Sequence, residues 1–372
     1  MRTRIRNLGI RIGRFPTGPH NAITDVPGVL VGHETLIYDK PRTARTGVTM
    51  IVPRADTIWR DYAFAGYHNF NGNGEMTGMA WLEESGMLGS AIGLTNTFQV
   101  GVVRDALVRY VVEQGHTEGF WLPVVAETYD GWLNDIDAFH LTREAAYKAL
   151  TSATDGPVAE GSVGGGTGMI CHDFKGGIGT ASRLIENEDI TYTLGVLVQA
   201  NYGDRHLLRV DGVPVGRILG QDNVAIPGWR GQDRSGSIII IIATDAPLLP
   251  VQCRRLAQRA TVGLARVGGV GHNGSGDLFL AFATGNHLPA KTGLLRDLKM
   301  IPHGRLDPFF EAVAEAVEEA ILNALTMADT MVGRNGRIAH ALPLDDLQQI
   351  VADYRRFDYR EERAFDLGQK AR

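Results

Sequence analysis

The sequence predicts an α+β fold in which β-sheets stack on one another with helices outside, and three observations predict it. Strand-like and helical segments are mixed along the 372 residues without the strict alternation that a doubly wound parallel sheet requires. Ser237 is followed by five consecutive isoleucines, Ile238 to Ile242. An unbroken β-branched run marks a strand covered on both faces, because a half-exposed strand alternates apolar and polar residues. The 46 glycines fall in clusters between strand-like runs, which marks tight turns and close backbone approach.

In chain order, Val26 to Val31, Val48 to Val52 and Ala91 to Leu94 are rich in Val, Ile or Thr and read as strands. Val100 to Gln114 has helical spacing, with Val103, Leu107, Tyr110 and Val111 on one face. Trp121 to Ala126 reads as a buried strand. Thr142 to Leu150 reads as a helix capped by Thr142, with Glu144 in its first turn. After the glycine clusters at 161–168 and 175–179, Tyr192 to Ala200 is strand-like. Residues 204–231 are polar and turn-rich, an irregular connection ending in an exposed, flexible linker, Gly231-Gln-Asp-Arg-Ser-Gly236. Pro247 opens a helix to about Val267, Gly268 to Gly276 is a glycine-rich turn, and Leu278 to Ala283 is a strand. Phe309 to Met327 is a long amphipathic helix and Leu344 to Tyr354 a short one, followed by a charged, loosely ordered tail.

Composition narrows the function. The length suits two or three domains or one large layered domain, and 44% hydrophobic residues supply a substantial core. The net charge of −5, from 37 basic and 42 acidic residues, gives no electrostatic case for nucleic acid or an anionic membrane. Cys171 and Cys253 form no CxxC pair, so neither a disulfide framework nor a zinc knuckle is indicated. The start is basic but lacks the apolar stretch of a secretory signal, and no run approaches the ~20 apolar residues of a membrane span. A soluble, cytoplasmic protein is expected. Eleven histidines include no HExxH or paired His/Cys spacing, and His272 beside Asn273 reads as a turn residue. No metal and no cofactor are predicted.

The Gly236–Ser237 junction has a chemical reading. Cutting that bond would leave Ser237 as a chain terminus held by a core strand, its hydroxyl next to a free α-amine. Such an amine has an ordinary pKa of about 7.7 to 8.0 and can act as a general base. A hydroxyl paired with its own amine is an established form of activated nucleophile. The same hydroxyl can make the cut by attacking the Gly236 carbonyl, where glycine reduces crowding. On pattern alone, an ordinary turn entering a core strand explains Gly-Ser better. Ser235 is a competing candidate within the linker.

From about Pro16 to Ala328 the sequence resembles the L-aminopeptidase/D-esterase (DmpA) family, which includes the β-peptidyl aminopeptidases. The resemblance rests on collinear stretches: Pro16-Thr-Gly-Pro-His-Asn-Ala-Ile-Thr-Asp-Val-Pro-Gly-Val29, Asn71-Gly-Asn-Gly-Glu-Met-Thr-Gly78, and Thr95-Asn-Thr97 with Val100-Gly-Val-Val-Arg-Asp105. Further along come Ala126-Glu-Thr-Tyr-Asp-Gly131, Val163-Gly-Gly-Gly-Thr-Gly168, Phe174-Lys-Gly-Gly-Ile-Gly-Thr180, Gly236-Ser237 to Pro247, and Asn273-Gly-Ser-Gly-Asp277. The resemblance implies an αββα sandwich of the DmpA and ornithine acetyltransferase type, with layers similar to N-terminal-nucleophile hydrolases. It implies one domain over residues 1–372, made as a precursor that cuts itself into 1–236 and 237–372, and a tetramer of cleaved pairs.

Matched position by position, the resemblance makes Ser237 the nucleophile of an aminopeptidase acting on small peptides, amides or esters with a free amino group. Tyr129 and Asn201 match the donors to the oxyanion, and Ser275 and Asp277 a hydroxyl–carboxylate pair beside the nucleophile. Some members carry Glu where this chain has Asp277. Glu127 matches the carboxylate that faces the substrate ammonium. Without the resemblance the ordinary readings are preferred: Tyr129 a core aromatic, Asn201 a strand-end turn former, Ser275 and Asp277 an ordinary turn, and Glu127 a solvated strand end.

Two other functions compete. Ornithine acetyltransferases share the sandwich and self-cleave, but expose threonine; serine at position 237 favours hydrolysis over acyl transfer. Gly164-Gly-Gly-Thr-Gly168 suggests a phosphate loop, yet neither GxxxxGK[ST] nor a strand-to-helix GxGxxG is present.

Overall fold

Two β-sheets face each other at the centre of the molecule, and each is covered on its outer side by helices. The computed structural model describes residues 2–55, 57–116, 119–188, 190–228, 236–291 and 293–365. In chain order the elements are β1 (Leu30–Tyr38), β2 (Ala44–Val52), β3 (Asp61–Gly72), α1 (Met79–Ser85), β4 (Met87–Leu88), β5 (Ile92–Asn96), α2 (Val100–Glu113), β6 (Val124–Thr128) and α3 (Arg143–Thr151). A tight hairpin of β7 (Ile170–Cys171) and β8 (Phe174–Lys175) precedes the long strands β9 (Gly177–Asn187) and β10 (Ile190–Asn201). Then follow α4 (Val215–Ile218), β11 (Ser237–Thr244), α5 (Pro250–Val267), β12 (Gly276–Pro289), α6 (Asp307–Thr326), the small pair β13 (Met331–Val332) and β14 (Ile338–Ala339), and α7 (Leu344–Phe365).

One sheet has the strand order β1-β2-β5-β6 and the other β4-β3-β12-β11-β10-β9. The isoleucine run explains the layering. Ile238, Ile240 and Ile242 pack in one apolar cluster with Leu256 and Ala260 of α5 and Val317 and Ile321 of α6. Ile239 and Ile241 point the other way, into a cluster with Val48, Met50 and Leu94 of the facing sheet, which continues to Val103 and Leu107 of α2 and Ala146 of α3. All five are fully buried, each worth about 1.5–3 kcal/mol relative to exposure. β11 is therefore fixed in the middle of an αββα sandwich, and its first residue, Ser237, is held with it.

Several boundaries differ from the sequence reading, each for a local reason. The first strand starts at Leu30 rather than Val26, because Pro27 and Gly28 form a turn closed by the Val29 N–H donating to the Val26 carbonyl at 3.1 Å. β6 begins after Pro123, not at Trp121, since proline cannot donate to a ladder. α5 opens at Pro250 rather than Pro247, because a residue preceding proline disfavours the helical region and the helix cannot run through Leu249. Thr142 does cap α3, accepting from the Ala145 N–H at 3.4 Å.

α6 is buried almost all round rather than amphipathic. Two of its buried acids are satisfied internally: the fully buried Arg183 donates to Glu315 at 2.9 Å and to Glu319 at 2.8 Å. α7 continues to Phe365, where the sequence suggests a short helix and a loose tail; residues 366–372 lie outside the described residues. The connection after β10 is irregular as expected but not solvated, with Leu208, Val210, Val213 and Val215 buried. The linker 231–235, including Ser235, lies outside the described residues. Among the described residues, no helix is long and apolar enough to cross a membrane.

Candidate active site

Strand register assembles the head of the site. Ser237 is the first residue of β11, opposite Asn201, the last residue of β10, and beside Gly276, the first residue of β12. Ser237 is buried. Its Oγ donates to the Gly236 carbonyl oxygen at 2.6 Å. The Gly276 N–H lies 3.2 Å from that same oxygen and 3.3 Å from the Ser237 Oγ. A hydroxyl and a polarising amide thus both stand at the one peptide bond.

Asn201 is clamped at both ends of its carboxamide. Its Oδ1 accepts from the Ile170 N–H of the β7–β8 hairpin at 2.8 Å, and its Nδ2 donates to the Tyr129 carbonyl at 3.0 Å. These bonds fix the amide and leave its second N–H for another acceptor. The arrangement joins the end of β10 to the end of β6 in the opposite sheet.

Ser275 and Asp277 flank Gly276. The Ser275 Oγ donates to Asp277 Oδ1 at 2.6 Å, and Ser275 O accepts from the side chain of Asn71, at the end of β3. Burial pushes the Asp277 carboxyl up to about 6, against the lowering effects of the Ser275 and Ile238 hydrogen bonds.

Glu127 is buried rather than solvated. Its carboxylate accepts from the Thr97 hydroxyl and, at 3.0 Å, from the Glu75 N–H. Burial raises its pKa, and the two hydrogen bonds oppose that shift. A Cβ on Gly74 would lie 3.0 Å from the Gly276 Cα and 3.1 Å from Glu127 Oε1. A side chain at this position would press by a few tenths of an ångström on both the strand and the carboxylate.

A cavity of about 200 Å³ opens over this assembly. Tyr129, Asn201, Gly236 and Ser275 line it together with Trp132, Asp173, Asp204 and His272. Ser237, Asp277 and Glu127 are not among the described residues that line it; strand register and the Asn201–Tyr129 bond bring Ser237, Asn201, Tyr129, Ser275 and Asp277 together, and Glu127 lies in β6 two residues before Tyr129. His272 sits on the cavity wall, its Nδ1 3.9 Å from Asp204. Among the described residues, no group of three or more His, Cys, Asp or Glu is placed to hold a metal ion. A larger cavity of about 840 Å³, lined by Trp59, Trp81 and Trp121, contains none of these residues.

The glycine cluster 164–166 is a packing device between the sheets, not a phosphate loop. All three residues are buried, and a Cβ on Gly165 would lie 2.1 Å from Gln199 Oε1 and 2.7 Å from the Leu94 carbonyl. Residue-type reasoning did not single out the Gly276, Glu75 and Ile170 amides. A backbone N–H carries no residue-type signal, so only register reveals it. Thr97 stands in a motif that the sequence does display.

The chain matches peptidase family S58 over residues 21–339. It is 46% identical over 371 residues to the β-peptidyl aminopeptidase BapA of Sphingosinicella microcystinivorans, covering 95% of this chain and 93% of that protein. A solved β-aminopeptidase from Burkholderia sp. superposes with a TM-score of 0.89 at 51% identity, covering 94% of this chain and 99% of that one. The L-aminopeptidase D-Ala-esterase/amidase of Ochrobactrum anthropi, described as a prototype of the serine aminopeptidases and a variant of the Ntn hydrolase fold, superposes with a TM-score of 0.87. That pair is 42% identical, covering 94% of this chain and 98% of that one. With the same sandwich and a family match running through both sheets and across the Gly236–Ser237 junction, the chain belongs to peptidase family S58 and is a serine-type aminopeptidase.

Proposed function

We propose that Ser237 is both the agent of self-cleavage and the nucleophile of the mature enzyme. The observation that carries this reading is the Ser237 hydroxyl at 2.6 Å from the Gly236 carbonyl oxygen, with the Gly276 N–H directed at that oxygen. Attack of Oγ on the Gly236 carbonyl carbon forms a C–O bond, breaks the peptide C–N bond, and passes the hydroxyl proton to the departing nitrogen. Water then hydrolyses the ester. The products are a chain ending in the Gly236 carboxylate, 1–236, and a chain beginning with the Ser237 amine, 237–372.

In turnover, the substrate's ammonium rests on Glu127 and its carbonyl carbon faces Ser237 Oγ. The Ser237 amine takes the hydroxyl proton, while the Asn201 amide and the Tyr129 phenol donate to the oxyanion. The amine product leaves with that proton, and water clears the acyl-enzyme by the same route. Ser275 and Asp277 hold the new amine and balance its charge when protonated. The substrates are small peptides, amides or esters with an unblocked amino end, a range that the names of the relatives support.

The reading extends to a tetramer of cleaved pairs, supported by Leu294 and Leu295, whose exposures of 99% and 87% leave apolar surface for a second copy to cover. It includes a reducing, cytoplasmic setting, which suits two buried free cysteines. Intact mass of the purified protein tests the centre of the proposal. The wild type gives two chains, the second starting at Ser237, and Ser237→Ala gives one uncut, folded, inactive chain. A second chain starting elsewhere, or normal processing of the Ala variant, rejects it.

A further inference from the structure

The proposed site is split between two sheets. Glu127 and Tyr129 come from the end of β6 in the four-stranded sheet, whereas Asn201 and Ser237 come from β10 and β11 in the six-stranded one. Between these sheets the packing is mostly apolar. Apolar contact is non-directional and resists sliding weakly, so spacing to within an ångström needs directional bonds.

Gln199 supplies such bonds. It is fully buried, pairs with Ile239 of β11, and stands two residues before Asn201 on the same face of β10. Its Nε2 crosses to the other sheet, donating to the Thr95 carbonyl at 2.9 Å and to the Thr128 Oγ1 at 2.8 Å. The Thr128 hydroxyl in turn points at Met169 Sδ, 2.8 Å away. Thr128 is the residue between Glu127 and Tyr129. On the opposite end of the amide, Oε1 has no hydrogen-bond partner among the described residues and lies against Gly165, where any Cβ would strike it. An orphaned buried carbonyl is costly, and an aliphatic residue would avoid it. Both donors of this amide are spent on the facing sheet, which is the work of a bridge rather than a filler.

We propose that Gln199 is a positioning residue: bonded to Thr128 across the sandwich, it sets the distance between the Glu127–Tyr129 half of the site and the Asn201–Ser237 half. The Asn201–Tyr129 bond fixes the two sheets at the cavity, and the Gln199 pair fixes them two residues deeper. Two separated ties control tilt as well as spacing. The inference rests on the proposed roles of Ser237 and Glu127.

The test compares full-length Gln199→Met, Thr128→Val, Thr128→Ser and the Gln199→Met/Thr128→Val double variant, with Ser237→Ala in parallel. A free-amine p-nitroanilide is the probe, and rates are normalised to cleaved, folded chain, or to folded chain for the uncut Ser237→Ala variant. Gln199→Met and Thr128→Val are expected to lower kcat by about 10- to 100-fold with KM held within about threefold, as misplacement of a reacting group by a fraction of an ångström does. Thr128→Ser, which keeps the hydroxyl, stays within about twofold of wild type, and the double variant falls no further than the worse single one. Full kcat in both single variants, or multiplicative losses in the double, overturns the inference. Thr128→Val is nearly isosteric and decides the matter if Gln199→Met does not fold. Should Ser237→Ala retain activity, the catalytic reading itself fails. Should it be inactive while Gln199→Met and Thr128→Val turn over at full rate, only the positioning role falls.

Discussion

Truncating Asn201 to alanine separates two effects that the structure joins in one side chain. The carboxamide is buried and satisfies the Ile170 N–H at 2.8 Å and the Tyr129 carbonyl at 3.0 Å. Removing it orphans one donor and one acceptor, each worth about 1–3 kcal/mol when water cannot reach it. The adjoining cavity of about 200 Å³ can admit water to the vacated space, so a total loss of roughly 1–3 kcal/mol of stability is expected. The catalytic effect is independent of that. If the remaining Nδ2 hydrogen serves the oxyanion, its loss lowers kcat by about 10²- to 10³-fold, or about 2.7–4 kcal/mol of transition-state stabilisation. Asn201→Asp sharpens the contrast. It still accepts from Ile170, but it sets an acceptor against the Tyr129 carbonyl and a negative charge where the oxyanion forms, so its kcat falls at least as far. Initial rates on a free-amine p-nitroanilide, normalised to cleaved chain by intact mass, report the catalytic part; urea unfolding reports the stability part. Full turnover by the alanine variant removes Asn201 from the chemistry. An unchanged unfolding midpoint refutes the two-bond account of its anchoring.

Two further outcomes follow from the carboxylates. Glu127→Gln should lower kcat/KM for free-amine substrates by about 10- to 100-fold, because a buried charge partner for the ammonium is lost, while leaving N-acetylated substrates equally poor; parallel kinetics on the two substrates check this, and an unchanged preference contradicts it. For Asp277, burial lifts the folded-state carboxyl from 3.8 to about 6, so the folded protein holds this proton more tightly than the unfolded chain. Its stabilising contribution is complete below about pH 4 and is lost as pH rises through about 6. In the uncut Ser237→Ala background, where no new amine faces the carboxylate, Asp277→Asn should therefore gain stability relative to its parent by roughly 1–3 kcal/mol between pH 4 and pH 7.5, and in the wild-type background it should lose activity. Urea midpoints at the two pH values measure the difference, and a pH-independent gap refutes the assignment.

Several features were legible from residues because they depend on neighbours in the chain. The isoleucines at 238–242 announced a doubly covered strand, since burial on both faces admits only apolar side chains. Thr142 announced a helix start, because its hydroxyl caps an amide three residues away. The place of Ser237 between a glycine and that strand admitted a chemical reading but did not by itself favour it; the family resemblance singled out Ser237 and gathered Tyr129, Asn201, Ser275, Asp277 and Glu127 around it. Those signals are short-range or are carried by side-chain identity.

The tertiary structure decided the rest. β3 and β9 were not singled out, since their Gly, Ser, Arg and His content weakens any local strand pattern and pairing with β12 and β10 overrides it. The partners of the buried Glu127 carboxylate, the Thr97 hydroxyl and the Glu75 N–H, stand 30 and 52 positions away. The amides of Gly276 and Ile170 became donors through register, and the Gln199–Thr128 tie spans 71 positions. Sequence determined that Ser237 would stand at the start of a doubly covered strand, because propensity and hydrophobic pattern act over a few residues. Which groups meet that serine was settled only when two sheets packed, because hydrogen-bond geometry depends on where distant backbones come to rest.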